Sequence, residues 1–128
     1  MIGYGEGAMA YMLLILEPGE KRRTRPLEDG RLAYERMLRF GEDLKARGVL
    51  KASDALKSDA EGVRIEVRHG KRTILDGPFA ESKEIVGGFF LIDCATKAQA
   101  IGIAQECPAA EWATVEVREV GVCFDEAN

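Results

Sequence analysis

Two carboxylates three residues apart, Glu81 and Glu84, follow an Asp-Gly-Pro-Phe run at residues 76–79 and precede the pair Gly87-Gly88. These residue types can do chemistry. In a short helical turn Glu81 and Glu84 share a face, and crowding of two carboxylates raises one pKa into the range of a usable acid. A solvated charge run is the blander account of the same residues. Asp76 opens a tight turn, where its carboxylate accepts hydrogen bonds from backbone amides one or two residues ahead; Gly77 supplies unusual dihedrals and Pro78 fixes φ. Such a corner either only turns the chain, or also holds Asp76 at the rim of a cleft as a general acid/base or ligand anchor. Gly87 and Gly88 offer close backbone approach or a bulge at a strand entrance, which leaves room for a ligand. The candidate ligand-binding set is therefore Asp76, Phe79, Glu81, Glu84, Gly87 and Gly88, with Tyr11, and Asp76 is the candidate catalytic residue.

The other reactive types are sparse. His69 is the single histidine and so the only ready-made base near neutral pH, but its place beside Gly70 reads as an exposed hairpin turn. Three cysteines, Cys94, Cys107 and Cys123, form an odd count with no close pair, which suits buried thiols in a reducing compartment. Cys94 falls at a strand end just before a helix, where a helix N-terminus lowers a thiol pKa; the plainer reading is a small apolar filler. One histidine and no Cys-x-x-Cys leave a tetrahedral metal set without ligands, so neither metal nor cofactor is expected.

Composition narrows the class. A chain of 128 residues with 46% hydrophobic and 31% charged residues fits one globular domain with its own core. A net charge of −4 gives no electrostatic reason to expect nucleic acid, which needs a basic face. The basic run Lys21-Arg22-Arg23-Thr24-Arg25 is followed at once by Glu28-Asp29, and reads as a solvated loop. No apolar run approaches the ~20 residues of a membrane helix, and the start lacks the basic and apolar regions of a secretory signal; a cytoplasmic location is the expectation. Residues 1–8, with alternating glycines that precede any strand, read as a flexible extension or a leftover of expression, and residues 9–128 as one domain.

The elements that must position these groups follow from periodicity. Residues 11–16 are almost continuously apolar, as in a central strand covered on at least one face. Residues 18–30 read as a loop. Ala33, Met37, Phe40 and Leu44 lie at helical spacing, with Leu32 and Leu38 widening the stripe, and Gly48 is a C-terminal helix stop. Val63, Ile65 and Val67 alternate with charged residues as a half-buried strand, which His69-Gly70 turns into a partner at residues 71–75. Residues 88–93 form the next strand. Thr96 and Gln99 have capping-box spacing before a helix with Ala98, Ile101 and Ala104 on its apolar face, ended by Pro108. Residues 114–120 close the pattern as a strand. The order β-α-β-β(-β)-α-β defines an α+β, ferredoxin-like split β-α-β fold with an antiparallel sheet and both helices on one face. Both phases of Phe89-Phe90-Leu91-Ile92 are apolar, so the second sheet face also calls for cover, and a homodimer is expected.

The stretch at residues 76–93 resembles the signature of the YCII-related, or DGPF-domain, proteins, and the resemblance extends from Tyr11-Met12-Leu13-Leu14 to Val115-Glu116-Val117-Arg118. It implies a bacterial-type small protein whose protomers pair sheet to sheet as a dimeric α/β barrel. It names no reaction. Some relatives in the wider superfamily act through a His/Asp pair with the histidine on the first helix; the matching stretch here, Ala33-Tyr34-Glu35-Arg36-Met37, has none, and Tyr11 and Tyr34 are the polar substitutes. The resemblance leaves three functions: a dimer that binds a small organic ligand near the Asp-Gly-Pro-Phe motif, a lyase- or isomerase-type enzyme using Asp76, or a regulatory interaction protein linked to sigma factors.

Overall fold

The computed structural model of the chain describes residues 9–124, so the expectation for residues 1–8 falls outside it. Among the described residues the order is β1 (Met9–Glu17), α1 (Gly19–Thr24), α2 (Leu27–Ala46), β2 (Leu50–Ala55), β3 (Val63–Arg68), β4 (Lys71–Asp76), β5 (Ile85–Cys94), α3 (Lys97–Glu106) and β6 (Thr114–Glu119). Four strands make one sheet in the order β2-β5-β1-β6, every pair antiparallel. The fold is α+β and ferredoxin-like, as the sequence order implied. Strands β3 and β4 stand apart from it as a two-stranded hairpin.

Alternation decides which face of the sheet is covered. Tyr11, Leu13 and Ile15 of β1 and Phe90 and Ile92 of β5 are buried with Phe40 and Leu44 of α2 and Ala100, Ile103 and Ala104 of α3. Phe40 meets Phe90 edge to face with ring centroids 5.1 Å apart, an arrangement that adds about 0.5–1.5 kcal/mol to the burial itself. The opposite phase, Met12, Leu14 and Leu16 with Phe89 and Leu91, lies outside that core and is only half-buried. The end of α2 matches expectation. Gly48 has φ of 76°, its N–H donates to the Lys45 carbonyl at 3.0 Å, and the Val49 N–H reaches the Leu44 carbonyl at 3.1 Å. Thr96 caps α3 by accepting from the Gln99 N–H at 3.2 Å.

Several expectations are corrected. One of the two edge strands of the sheet is β2, whose Lys51-Ala52-Ser53-Asp54-Ala55 carries no apolar alternation and is held in place by pairing with β5. Val63, Ile65 and Val67, expected to be half-buried, are 54%, 64% and 52% exposed, in a hairpin that forms a two-stranded sheet apart from the main one. Residues 18–30 are not a loop: α1 and the first turn of α2 lie there, each entered after a proline that pre-sets its φ. Leu32 and Leu38 are exposed rather than part of the α2 stripe. In α3 the buried face is Ala100, Ile103 and Ala104, while Ala98 and Ile101 face out. Among the described residues no helix is long and apolar enough to cross a membrane.

Candidate ligand-binding cleft

A cleft of about 700 Å³ runs between α2 and the β2 side of the sheet. It opens where α2 crosses β5 and β2, with Phe40 against Phe90 and Gly41 beside both Phe90 and Ser53. Its floor is apolar, with Ile15, Met37, Leu50, Phe90 and Trp112. The α2 flank that borders it carries Gly30, Tyr34, Leu38 and Gly41, and Ser53 faces it from β2, close to Gly41. A volume of this size with an apolar floor and a few polar groups fits a small organic molecule.

One end of the cleft is charged. Glu17 continues the inward phase of Tyr11, Leu13 and Ile15, and is buried at 5% exposure. A carboxylate removed from water needs a partner, and Arg25 supplies it with Nη2 2.5 Å from Oε2. Arg22 lies beside this pair. Its guanidinium donates to the Gly87 carbonyl at 3.4 Å and to the Leu56 carbonyl. Gly87 makes room for it, because a Cβ there would stand 2.9 Å from Arg22 Nη1. The β1–β5 register shifts between Ile15 and Leu16, so Gly87 is the extra residue of a bulge. Gly88 lets β2 come close: a Cβ would stand 3.0 Å from the Asp54 carbonyl oxygen.

The corner at residues 76–79 is organised by a residue outside it. Asp59 is buried at 8% exposure; its carboxylate accepts from the Phe79 N–H at 3.1 Å and pairs with Arg23 of α1 at 2.6 Å. Burial pushes the Asp59 carboxyl up, but the Phe79 N–H and the Arg23 guanidinium outweigh it and hold the pKa below its ordinary value. Gly77 donates to the Gly62 carbonyl at 2.8 Å, and a Cβ on it would lie 1.8 Å from the Asp59 carbonyl oxygen. The Gly77-Pro78 peptide is cis. Arg64 stacks over the Phe79 ring at 3.9 Å. The expected turn role of the Asp76 carboxylate is thus taken by Asp59; among the described residues the Asp76 side chain, which is exposed, has no hydrogen-bond partner.

The expected site residues are not brought together. Gly87 and Gly88 line the large cleft. Phe79 and Glu84 line a separate depression of about 470 Å³ with Arg64 and Asp59. Asp76 and Glu81 line neither, and residues 80–84 form turns rather than a helix, so Glu81 and Glu84 do not share a helical face. Tyr11 is buried in the core, where its hydroxyl donates to Glu119 at 3.2 Å; burial first, then Glu119, pushes its pKa up. Tyr34 does line the cleft. Cys94 is half-buried, and burial with nearby Asp93 raises its pKa, the opposite of activation by a helix end. His69 sits at φ 53° in the exposed hairpin turn.

The residues that sequence reasoning missed are Glu17, Arg22, Arg23, Arg25, Ser53 and Asp59. A signal existed for part of this set. Glu17 keeps the buried phase of β1 and is followed within eight residues by the basic run, whose arginines serve as ties rather than as a solvated loop. Among the described residues no group of three or more histidine, cysteine or acidic side chains is placed to hold a metal ion.

A ferredoxin-like sheet with one covered face, and a cleft between its first long helix and an edge strand, defines the class of this protein. The chain belongs to the YCII-related domain family, whose model matches residues 9–122. It is similar to Uncharacterized protein R00369 of Rhizobium meliloti (strain 1021), with 42% identity over 60 residues. That alignment covers 44% of this chain and 48% of the relative.

Proposed function

We propose that this protein binds a small organic ligand in the α2–β2 cleft. The cleft itself carries the reading: an apolar floor ending at Arg22 and the Glu17–Arg25 pair, walled by the glycine pair of the signature stretch. Binding rather than catalysis is favoured by what lines it. Its histidine-free wall offers no ready-made near-neutral base, and Asp76 lines neither the cleft nor the smaller depression. A thermal-shift screen of small organic compounds tests the reading. Ligands should raise the melting temperature of the wild type and lose that effect in Gly30→Trp, whose indole fills the cleft from α2. Hits that stabilise Gly30→Trp equally would put binding somewhere else.

The uncovered sheet face supports a second element of the proposal, a homodimer. Met12, Leu14 and Leu16 stand opposite Leu91, Phe89 and Val86 on neighbouring strands, a contiguous apolar surface of the kind that marks an interface. Two copies placed face to face would bury it on both. Light scattering at micromolar concentration should give twice the chain mass for the wild type and a species near 14.1 kDa for Leu91→Asp. A wild type that stays at the single-chain mass would remove the dimer from the proposal.

A further inference from the structure

Among the described residues several charges line the cleft: Glu42, Lys45 and Asp54 are exposed, while Arg22 is half-buried. Arg25 is neutralised by buried Glu17 at 2.5 Å. Arg31 is held between Glu28 and Glu35, each at 2.5 Å. Arg22 differs. It is half-buried, it lines the cleft, and its partners are two neutral carbonyl oxygens, those of Gly87 and Leu56. Among the described residues no carboxylate pairs with it. These bonds occupy two of the five guanidinium N–H donors and fix the plane of the group, so the unused donors and the whole positive charge stay available in a partly desolvated place. A half-buried cation without a counter-ion is costly to the free protein, and an anion arriving there removes that cost.

The surroundings of Arg22 are built for it. Gly87 is the bulge residue, and any side chain there would collide with Arg22 Nη1. The neighbouring Glu17 carboxylate pairs with Arg25 through two contacts, at 2.5 and 3.4 Å, and this one negative charge stands beside two arginines, which leaves the group net positive. Beside these charges the lining is largely apolar, with Ile15, Met37, Leu50, Phe90 and Trp112. Resting on the reading of the cleft as a ligand site, we infer that its ligand is amphipathic. An anionic head, carboxylate or sulfonate in chemistry, lies against Arg22, and an apolar body lies along Phe90, Met37 and Leu50.

Two fluorescent probes that share an aromatic skeleton separate the head from the body: anilinonaphthalene sulfonate, which is anionic, and phenylnaphthylamine, which is neutral. Titrations use wild type, Arg22→Met, which keeps an apolar stem and removes the charge, and two cleft-filling variants, Ser53→Trp and Gly30→Trp. The expected result is that either filling variant abolishes binding of both probes. Arg22→Met should weaken the anionic probe by about tenfold or more, the loss of one charge-assisted contact, and leave the neutral probe within about twofold. If the filling variants act but Arg22→Met weakens neither probe, or weakens both alike, the cleft still binds ligands and the anionic assignment is overturned. If both filling variants leave both probes bound as in wild type, the cleft reading falls and the anionic assignment falls with it. Two filling variants from opposite walls guard against one of them failing to fold.

Discussion

The corner at residues 76–79 and the bulge at Gly87-Gly88 belong to one short stretch of chain, yet they serve different ends. The corner is closed. Gly77 is packed against the Asp59 carbonyl, the Phe79 N–H is held by the Asp59 carboxylate, and Arg64 covers the ring. The bulge is open: its glycines admit the Arg22 guanidinium on one side and the backbone of β2 on the other, and both border the cleft. Two regions with equally conspicuous glycines therefore differ in what a missing side chain does. At Gly77 it permits packing, and at Gly87 it makes space for a charge. The corner of the signature stretch holds the scaffold together, while its glycine pair, with an arginine run and a polar edge strand, shapes the cavity.

Substitution at the two glycines tests that contrast most directly. Gly77→Ala forces a Cβ to within 1.8 Å of a backbone oxygen, so the corner must move; unfolding in urea should show a loss of about 3 kcal/mol or more. Gly87→Ala meets only the far end of a flexible side chain, at 2.9 Å, and should cost less than about 1 kcal/mol while displacing Arg22 and weakening the anionic probe. Equal losses of stability would erase the distinction between a packed corner and an open bulge.

A smaller effect is expected from the clamp on the corner. The Asp59 pKa lies below its unfolded value, so the carboxylate's contribution to stability is fully present above about pH 4 and disappears as the pH falls through the lowered native value. Asp59→Asn should therefore be less stable than wild type at neutral pH, with the gap closing as the pH falls below about 4. Urea midpoints across a pH series check the sign; a gap that widens in acid would show that Asp59 is not held ionised by Phe79 and Arg23. The smallest effect belongs to Asp76. With its side chain exposed and unpartnered among the described residues, Asp76→Asn should change stability by less than about 0.5 kcal/mol. It should also leave the affinity of thermal-shift hits unchanged. A tenfold fall in affinity would bring Asp76 into the site and blur the line between corner and cleft.

Where the periodicity was strong, the fold was legible. The all-apolar run of β1, the Met37-Phe40-Leu44 stripe of α2, the turn at His69-Gly70 and the cap at Thr96 each state a local preference that the tertiary structure keeps. The glycine pair was legible as a bulge for the same reason. Strand β2 was not, because Lys51-Ala52-Ser53-Asp54-Ala55 has neither β-branched residues nor alternation, and its strand conformation comes from hydrogen bonds to β5. The hairpin misled in the opposite direction: Val63, Ile65 and Val67 have the pattern of a buried face, but pattern records what a strand can cover, not whether anything lies over it.

The sequence by itself determined the family, the ferredoxin-like order of elements and the position of the helix stops and turns, since these rest on contacts between residues close along the chain. Only the tertiary structure decided where a ligand can sit. Glu17, Arg22, Ser53 and Trp112 reach one cleft from widely separated positions, and Asp59 reaches the corner across 20 residues to meet Phe79. No local spacing encodes such meetings, because pairing β2 to the sheet edge and laying α2 across β5 brings the residues together only after the chain has folded.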